Sequence, residues 1–530
     1  FMHKNNKQSG VLLIAAAAVL ILSSQTPLDL LKDNTGKSRI NSAVQRELRI
    51  LNSEFSYNMN PHTANYSSEA QILTGLFEGL FSYDPYSLEA LPAVAESYKL
   101  SRDKKTWTFT LRSNAKFSNN DSISAQSVYD SWIRLLSPAA QAPFASLLDC
   151  IEGVEEYRTG KGTVENVGIK VSGPQTLVVK LQNPTEHFPK ILCHHAFSVV
   201  HKDASVYSGA YSLFSLHETE IILKKNNNYW DSGNVALPSI RLILSDDLEE
   251  NTFLYNTGSI DWACDAVNAG KIIDKNSVVV STQFGTEYLF FKSHRAPWNS
   301  DTARNALLYA VPWEELRSGS IVPADTLLVQ LRGYPDIAGL NDQDIDEAKR
   351  LLEEAEIPLE QRKIICAVPD NSYIIKQMEL LKTAWEQIGV TLEIQKTPTN
   401  RYLQSIQGWD ADVFTYTWIG DFADPLAFLE LFRSNSSLNE TQWVNKAYDK
   451  LLSEASQMSD SEQRYNKLAE AETLLLDQAV IIPVSHPVSF NVIDRNLIGG
   501  WYDNALDIHP LKYLYFNETK PIQGLVLASK

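Results

Sequence analysis

The sequence predicts an α/β protein of several domains, and three observations predict it. At 530 residues the chain exceeds the roughly 250–300 residues at which a single core stops growing. With 44% hydrophobic and 10% aromatic residues, it has a globular composition, which excludes disordered, collagen-like and coiled-coil classes. Its C-terminal half alternates strand and helix patterns, which implies right-handed crossovers and a parallel sheet.

The first element is an export signal, expected over 1–25. Lys4 and Lys7 precede an unbroken apolar run from Val11 to Leu22, and Ser23 and Ser24 follow it. That is the order of a secretory signal. At 1.5 Å per residue the run is too short for about 30 Å of hydrocarbon, so no stable membrane span is expected once it is removed. No cysteine follows the run, so no lipid anchor is expected. The polar stretch over 26–46 lacks a period and is expected to be a linker.

A short strand is expected over 47–51. A helix is expected over 67–80, with Ile72, Leu73, Leu76, Phe77 and Leu80 on one face and a serine able to cap it. The stretch 106–111 sets Trp107, Phe109 and Leu111 against three threonines, the period of a half-buried strand. An amphipathic helix over 124–136 is stopped by Pro138, and strands follow over 176–181 and 221–225. A helix over 344–355 has acids in its first turn, which suits the helix dipole. Then come a strand over 363–368, a helix over 371–388 with Gly389 at its C-terminal cap, and a strand over 390–395. A short helix over 401–407 and a strand over 412–419 complete the alternation, and two helices follow over 444–458 and 462–478.

With 47 Lys+Arg against 64 Asp+Glu, the formal charge is −17. That balance argues against nucleic acid as a partner, because phosphate binding needs a basic surface. Catalytic signatures are missing. Gly36-Lys37-Ser38 has Leu31 where a phosphate loop needs glycine, and there is no nucleophile elbow, zinc helix or dinucleotide fingerprint. The pair His194-His195 points two ways on any regular element, which favours a structural role over a metal site. Cys150, Cys193, Cys264 and Cys366 form no C-x-x-C motif, and both disulfides and buried thiols stay open. Neither an enzyme nor a cofactor is indicated.

In a parallel sheet, ligands sit beyond the carboxyl ends of the strands. The strand over 412–419 ends in Tyr416-Thr417-Trp418-Ile419-Gly420-Asp421-Phe422-Ala423-Asp424-Pro425. A carboxylate beside an indole face suits a cationic amine. By spacing alone, Asp421 is equally well a cap for a helix starting at Pro425.

Several stretches carry a family resemblance: Phe77-Glu78-Gly79-Leu80, Pro92 to Ser97, Trp107 to Ser137, Gly209-Ala210-Tyr211, Asn228-Tyr229-Trp230, Thr257 to Asp261, Trp418 to Pro425 and Ser434 to Asn439. In order and spacing they resemble the oligopeptide- and dipeptide-binding proteins of bacterial ABC importers (solute-binding protein family 5). The resemblance implies a two-lobed periplasmic-binding-protein fold of the class II type with an additional inserted domain. Lobe I would comprise 47–78, 189–285 and 496–530, inserted domain II 79–188, and lobe III 286–495. It implies a short peptide enclosed between lobes I and III, with Asp421 pairing with its α-amino group and Trp418 as a pocket wall. The candidate ligand-binding residues are Asp421, Trp418, Tyr416, Phe422, Tyr211 and Asn439. Some oligopeptide binders carry arginines just before this tryptophan, whereas this chain has Thr415 and Tyr416, so its preference for peptide length is expected to differ. The implied protein is a periplasmic monomer that delivers its ligand to ABC permease subunits. The alternative is a carrier of a metal chelate, heme or modified small peptide on the same scaffold.

Overall fold

A computed structural model describes residues 46–517 except Arg332, 403–405, Asp421, Ala423 and Ser459. The expected signal over 1–25, and the linker over 26–46 apart from Arg46, lie outside the described residues. Three sheets organise the chain. The first has seven strands in the order Val278–Thr282, Val488–Ile493, Trp262–Ala263, Leu48–Asn52, Ser239–Leu244, Glu220–Lys225, Tyr211–Leu216. Leu48–Asn52 runs parallel to both its neighbours, and the outer pairs are antiparallel. The second sheet has five strands in the order Thr391–Thr397, Lys363–Pro369, Val413–Ile419, Gly285–Phe291, Ile481–Ser485. The third has four, in the order Ala95–Leu100, Thr106–Leu111, Thr176–Lys180, Ile169–Gly173, all antiparallel.

The parallel core expected in the C-terminal half is present, since Lys363–Pro369 pairs in parallel with both Thr391–Thr397 and Val413–Ile419. Helix Ser372–Glu386 crosses between the first two of these strands. Asn371 caps it by accepting from Tyr373 N and Ile374 N, and Gly389, at φ +77°, lets the chain leave. One apolar cluster is continuous from Trp107 and Phe109 of the four-stranded body, through Phe144 and Phe188, to Phe290, Phe414 and Trp418 of the five-stranded body. The seven-stranded body has its own core around Ile50, Tyr211, Leu242 and Trp262.

Two local expectations are corrected. The helix expected over 67–80 ends at Leu76, because Phe77 turns extended and the following carbonyls serve other segments. The Glu78 carbonyl accepts from Val199 N and that of Gly79 from Val94 N. At the start of this helix the serine does not cap; the buried Glu69 carboxylate accepts from Asn65 N (3.1 Å) and Tyr66 N (3.2 Å) instead. All four cysteines are free thiols.

Candidate functional site

The site grows from one strand and its end. Val413–Ile419 is paired along its whole length with Gly285–Phe291, but on its other edge Lys363–Pro369 reaches only Val413 and Phe414. Among the described residues, no strand pairs with that edge over Tyr416–Ile419. The cause is Tyr402, buried between the two strands. Its hydroxyl accepts from Thr415 N (3.0 Å) and lies 3.0 and 2.9 Å from the Ala367 and Thr415 carbonyls, where a ladder would otherwise continue. Among the described residues, the result is three residues of extended backbone, Thr417–Ile419, with no strand along one edge, able to accept a third partner as an added strand.

The side chains along that edge are aromatic. Tyr416 is half-buried against Tyr288 and Phe290, and stacks at 6.4 Å on Trp418. Trp418 is fixed by its indole Nε1, which donates to the Ala427 carbonyl (2.8 Å), so it forms a rigid wall. Phe144 of the four-stranded body approaches Trp418 at 6.2 Å and packs on His194 at 4.2 Å. His195, beside it, bonds through Nε2 to the Ala64 carbonyl (3.2 Å). This links the loop after strand Leu48–Asn52 to the wall. Both histidines are buried in this packing, and burial pushes His195 far below its ordinary range. Among the described residues, no group of three or more His, Cys, Asp or Glu is placed to hold a metal.

The structure brings Tyr416 and Trp418 together and leaves Phe422, Tyr211 and Asn439 out of that contact. Tyr211 has no exposed surface, lies in the core of the seven-stranded body, and its hydroxyl meets no hydrogen-bond partner among the described residues. Asn439 shapes its own loop, donating to the Arg433 and Trp443 carbonyls and accepting from Thr441 Oγ1 (2.7 Å). Asp421 lies outside the described residues. Its neighbour Asp424 is fully committed. Both its oxygens are held by Arg464 at 2.8 Å, and Oδ1 also accepts from Leu426 N (3.0 Å). Burial pushes Asp424 up, but His187 and Arg464 overcome it and hold the carboxyl below its usual range. The helix-capping bond that spacing left open between a ligand role and a cap for Asp421 is therefore made by Asp424. Sequence reasoning missed Phe144 and Tyr402; neither stands in a periodic stretch or a motif.

Phe422 points away from the open edge and stacks on His187 of the four-stranded body (5.7 Å, 11° between planes). There it borders a cavity of about 480 Å³ between the two bodies, lined also by Asp149, Cys150, Glu430, Arg433 and Arg464. Three of its acids are paired across short distances: Asp149 with Arg158, Glu430 with Arg433 and Asp424 with Arg464. Burial lifts Asp149 to about 6 against the pull of Arg158, and lowers His187 against the pull of Asp424.

The sequence profile of the bacterial extracellular solute-binding proteins, family 5 (middle), matches residues 89–440. The oligopeptide-binding protein OppA of Bacillus subtilis is 27% identical over 506 residues, covering 88% of this chain and 91% of its own. The dipeptide-binding protein DppE of the same organism is 28% identical over 446 residues, covering 78% and 82%. Among solved structures, the murein tripeptide-binding protein MppA of Escherichia coli superposes with a TM-score of 0.81 at 25% identity, covering 89% of this chain and 99% of its own. The unliganded open form of MppA, at the same identity and covering 89% and 98%, reaches only 0.62. The fold is thus the two-lobed one of these binding proteins, in an arrangement unlike the open form.

Proposed function

Because this chain belongs to the bacterial extracellular solute-binding proteins of family 5, we propose that it captures short peptides between two hinged lobes and hands them to an ABC permease. Proteins of this family bind rather than catalyse. In this reading the seven-stranded body is lobe I, taking in strand Val488–Ile493 from the stretch expected for lobe III, the five-stranded body is lobe III and the four-stranded body inserted domain II. The protein works outside the cytoplasmic membrane, in the periplasm, as a monomer.

The observation that carries the reading is the strand edge at Thr417–Ile419, beside which no described strand lies, two positions before Asp421. An extended peptide laid there bonds through its backbone, so its side chains add little to recognition and can sit in hydrated pockets. Its α-amino group meets Asp421, whose capping alternative Asp424 has already filled. Closure expels water and strengthens that charge pair. Trp418 and Phe144 wall the amine end from two bodies, so the site is complete only when these bodies approach.

Removing one partner of such a buried pair costs about 2–5 kcal/mol. Asp421→Ala should therefore weaken binding at least about tenfold. Native mass spectrometry of the purified protein identifies a co-purifying peptide, and calorimetry with that peptide measures both proteins. Equal affinities would remove Asp421 from the site. A coloured or metal-loaded preparation carrying no peptide would favour a chelate or heme carrier instead.

A further inference from the structure

The contacts between the four- and five-stranded bodies include a polar seam that touches no part of the open strand edge. Ser437 Oγ donates to the Pro143 carbonyl (2.6 Å) and reaches Ser146 Oγ (3.1 Å), which also lies 3.4 Å from Ser436 Oγ. Asn435 Nδ2 donates to Glu155 Oε1 (2.5 Å), and the Asn435 carbonyl accepts from Arg158 Nη2 (2.9 Å). Arg158 is itself held on both oxygens of Asp149. Among the described residues, every side-chain bond of Asn435 and Ser437 crosses this boundary. These two side chains therefore serve the other body, while Ser436 shapes the loop, donating its N–H to the Arg433 carbonyl and accepting from Leu438 N at Oγ (3.2 Å). The seam stands beside the Phe144–Trp418 and His187–Phe422 ring contacts, so it forms and breaks with the same approach of the two bodies.

We propose that the four-stranded body is a latch: its segment 143–158 grips loop 435–437, holds the closed arrangement, and sets the rate at which an enclosed ligand leaves. That the ligand is a peptide rests on the function proposed above; the latch itself does not. Losing two or three seam bonds shifts the open–closed balance at least about fivefold.

The test is Asn435→Ala/Ser437→Ala, which removes three of the five seam bonds and leaves Asp421, Trp418, Tyr416 and Phe144 intact. Both proteins are loaded with an Ala-Xaa-Ala tripeptide mixture, and retained peptide is followed by native mass spectrometry after dilution. Small-angle scattering of the ligand-free proteins reads closure without any peptide. The variant should release peptide at least about fivefold faster with an unchanged association rate, and its ligand-free ensemble should be more expanded. Conversely, a Ser146→Cys/Ser437→Cys pair, once oxidised, should hold its peptide. Equal release and equal scattering for wild type and double variant would overturn the latch, as would wild-type release from the oxidised pair. If neither protein retains the mixture, the peptide reading fails, and the scattering comparison alone decides the latch.

Discussion

Of the two carboxylates three residues apart, Asp421 and Asp424, the second is given to structure. Asp424 is a structural anion, chelated by Arg464 across the boundary between its loop and helix Ser461–Asp477. Substituting Asp424→Asn would leave Arg464 buried without its counter-charge, which costs about 3–5 kcal/mol. Urea unfolding should show that loss. A variant as stable as the parent would mean that the ion pair contributes nothing. The sequence shows both acids in one Trp-x-x-Asp-x-x-Asp stretch but not how they divide the work. The deciding partner, Arg464, lies 40 residues away, and no local period links an arginine on a helix to an aspartate in a distant turn. Tyr211 shows the same limit from the other side. Its place in a matching segment suggests a ligand contact, whereas the period-2 burial of strand Tyr211–Leu216 turns its ring into the core.

At the scale of elements, legibility follows period and caps. The alternation over Thr106–Leu111 appears as a strand with Trp107, Phe109 and Leu111 buried, and the stripe over Ser372–Glu386 as a helix capped by Asn371. Strand neighbours are less legible, since pairing depends on what lies between strands. The Tyr402 hydroxyl that splits the second sheet belongs to no pattern. Helix Ser461–Asp477 carries another hidden feature. Its Glu472 is fully buried, accepting from Leu328 N and Tyr334 Oη at 2.9 Å each, and burial pushes its carboxyl up from 4.5 to about 7. Between those values the folded state keeps a proton that the unfolded chain has lost, so stability falls as pH rises through the window. Above pH 7 the penalty is about 3 kcal/mol. Glu472→Gln removes the titration and can keep both hydrogen bonds. Its unfolding free energy relative to wild type should therefore rise by about 3 kcal/mol from pH 4.5 to pH 8. A pH-independent difference would show that Glu472 does not titrate in this range.

Across the whole molecule, the seven-stranded sheet ties distant parts of the chain into one unit. Val488–Ile493 is an interior strand, antiparallel to both Trp262–Ala263 and Val278–Thr282. Asn491 Oδ1 accepts from Trp262 Nε1 (2.8 Å), and Trp501 stacks on His509 at 4.3 Å beside the same indole. Farther along, Lys512 Nζ lies 2.6 Å from Glu78 Oε1 and pairs with it inside the protein, where burial alone would strip its charge but the carboxylate keeps it above its ordinary range. Removing the segment after 486 would thus unpair two strand edges, open the core around Trp262, and leave Glu78 without its cation. Each loss alone is of the size that unfolds a marginally stable domain. A chain ending at 486 should therefore lose the native fold of the seven-stranded body, although the five-stranded sheet keeps all its strands. Limited proteolysis with mass spectrometry distinguishes the outcomes. Fragments from 46–80 and 210–282 should be cut early while 286–485 resists. Equal protection of both bodies would mean that the last strand is an accessory to the sheet and not part of what holds it together.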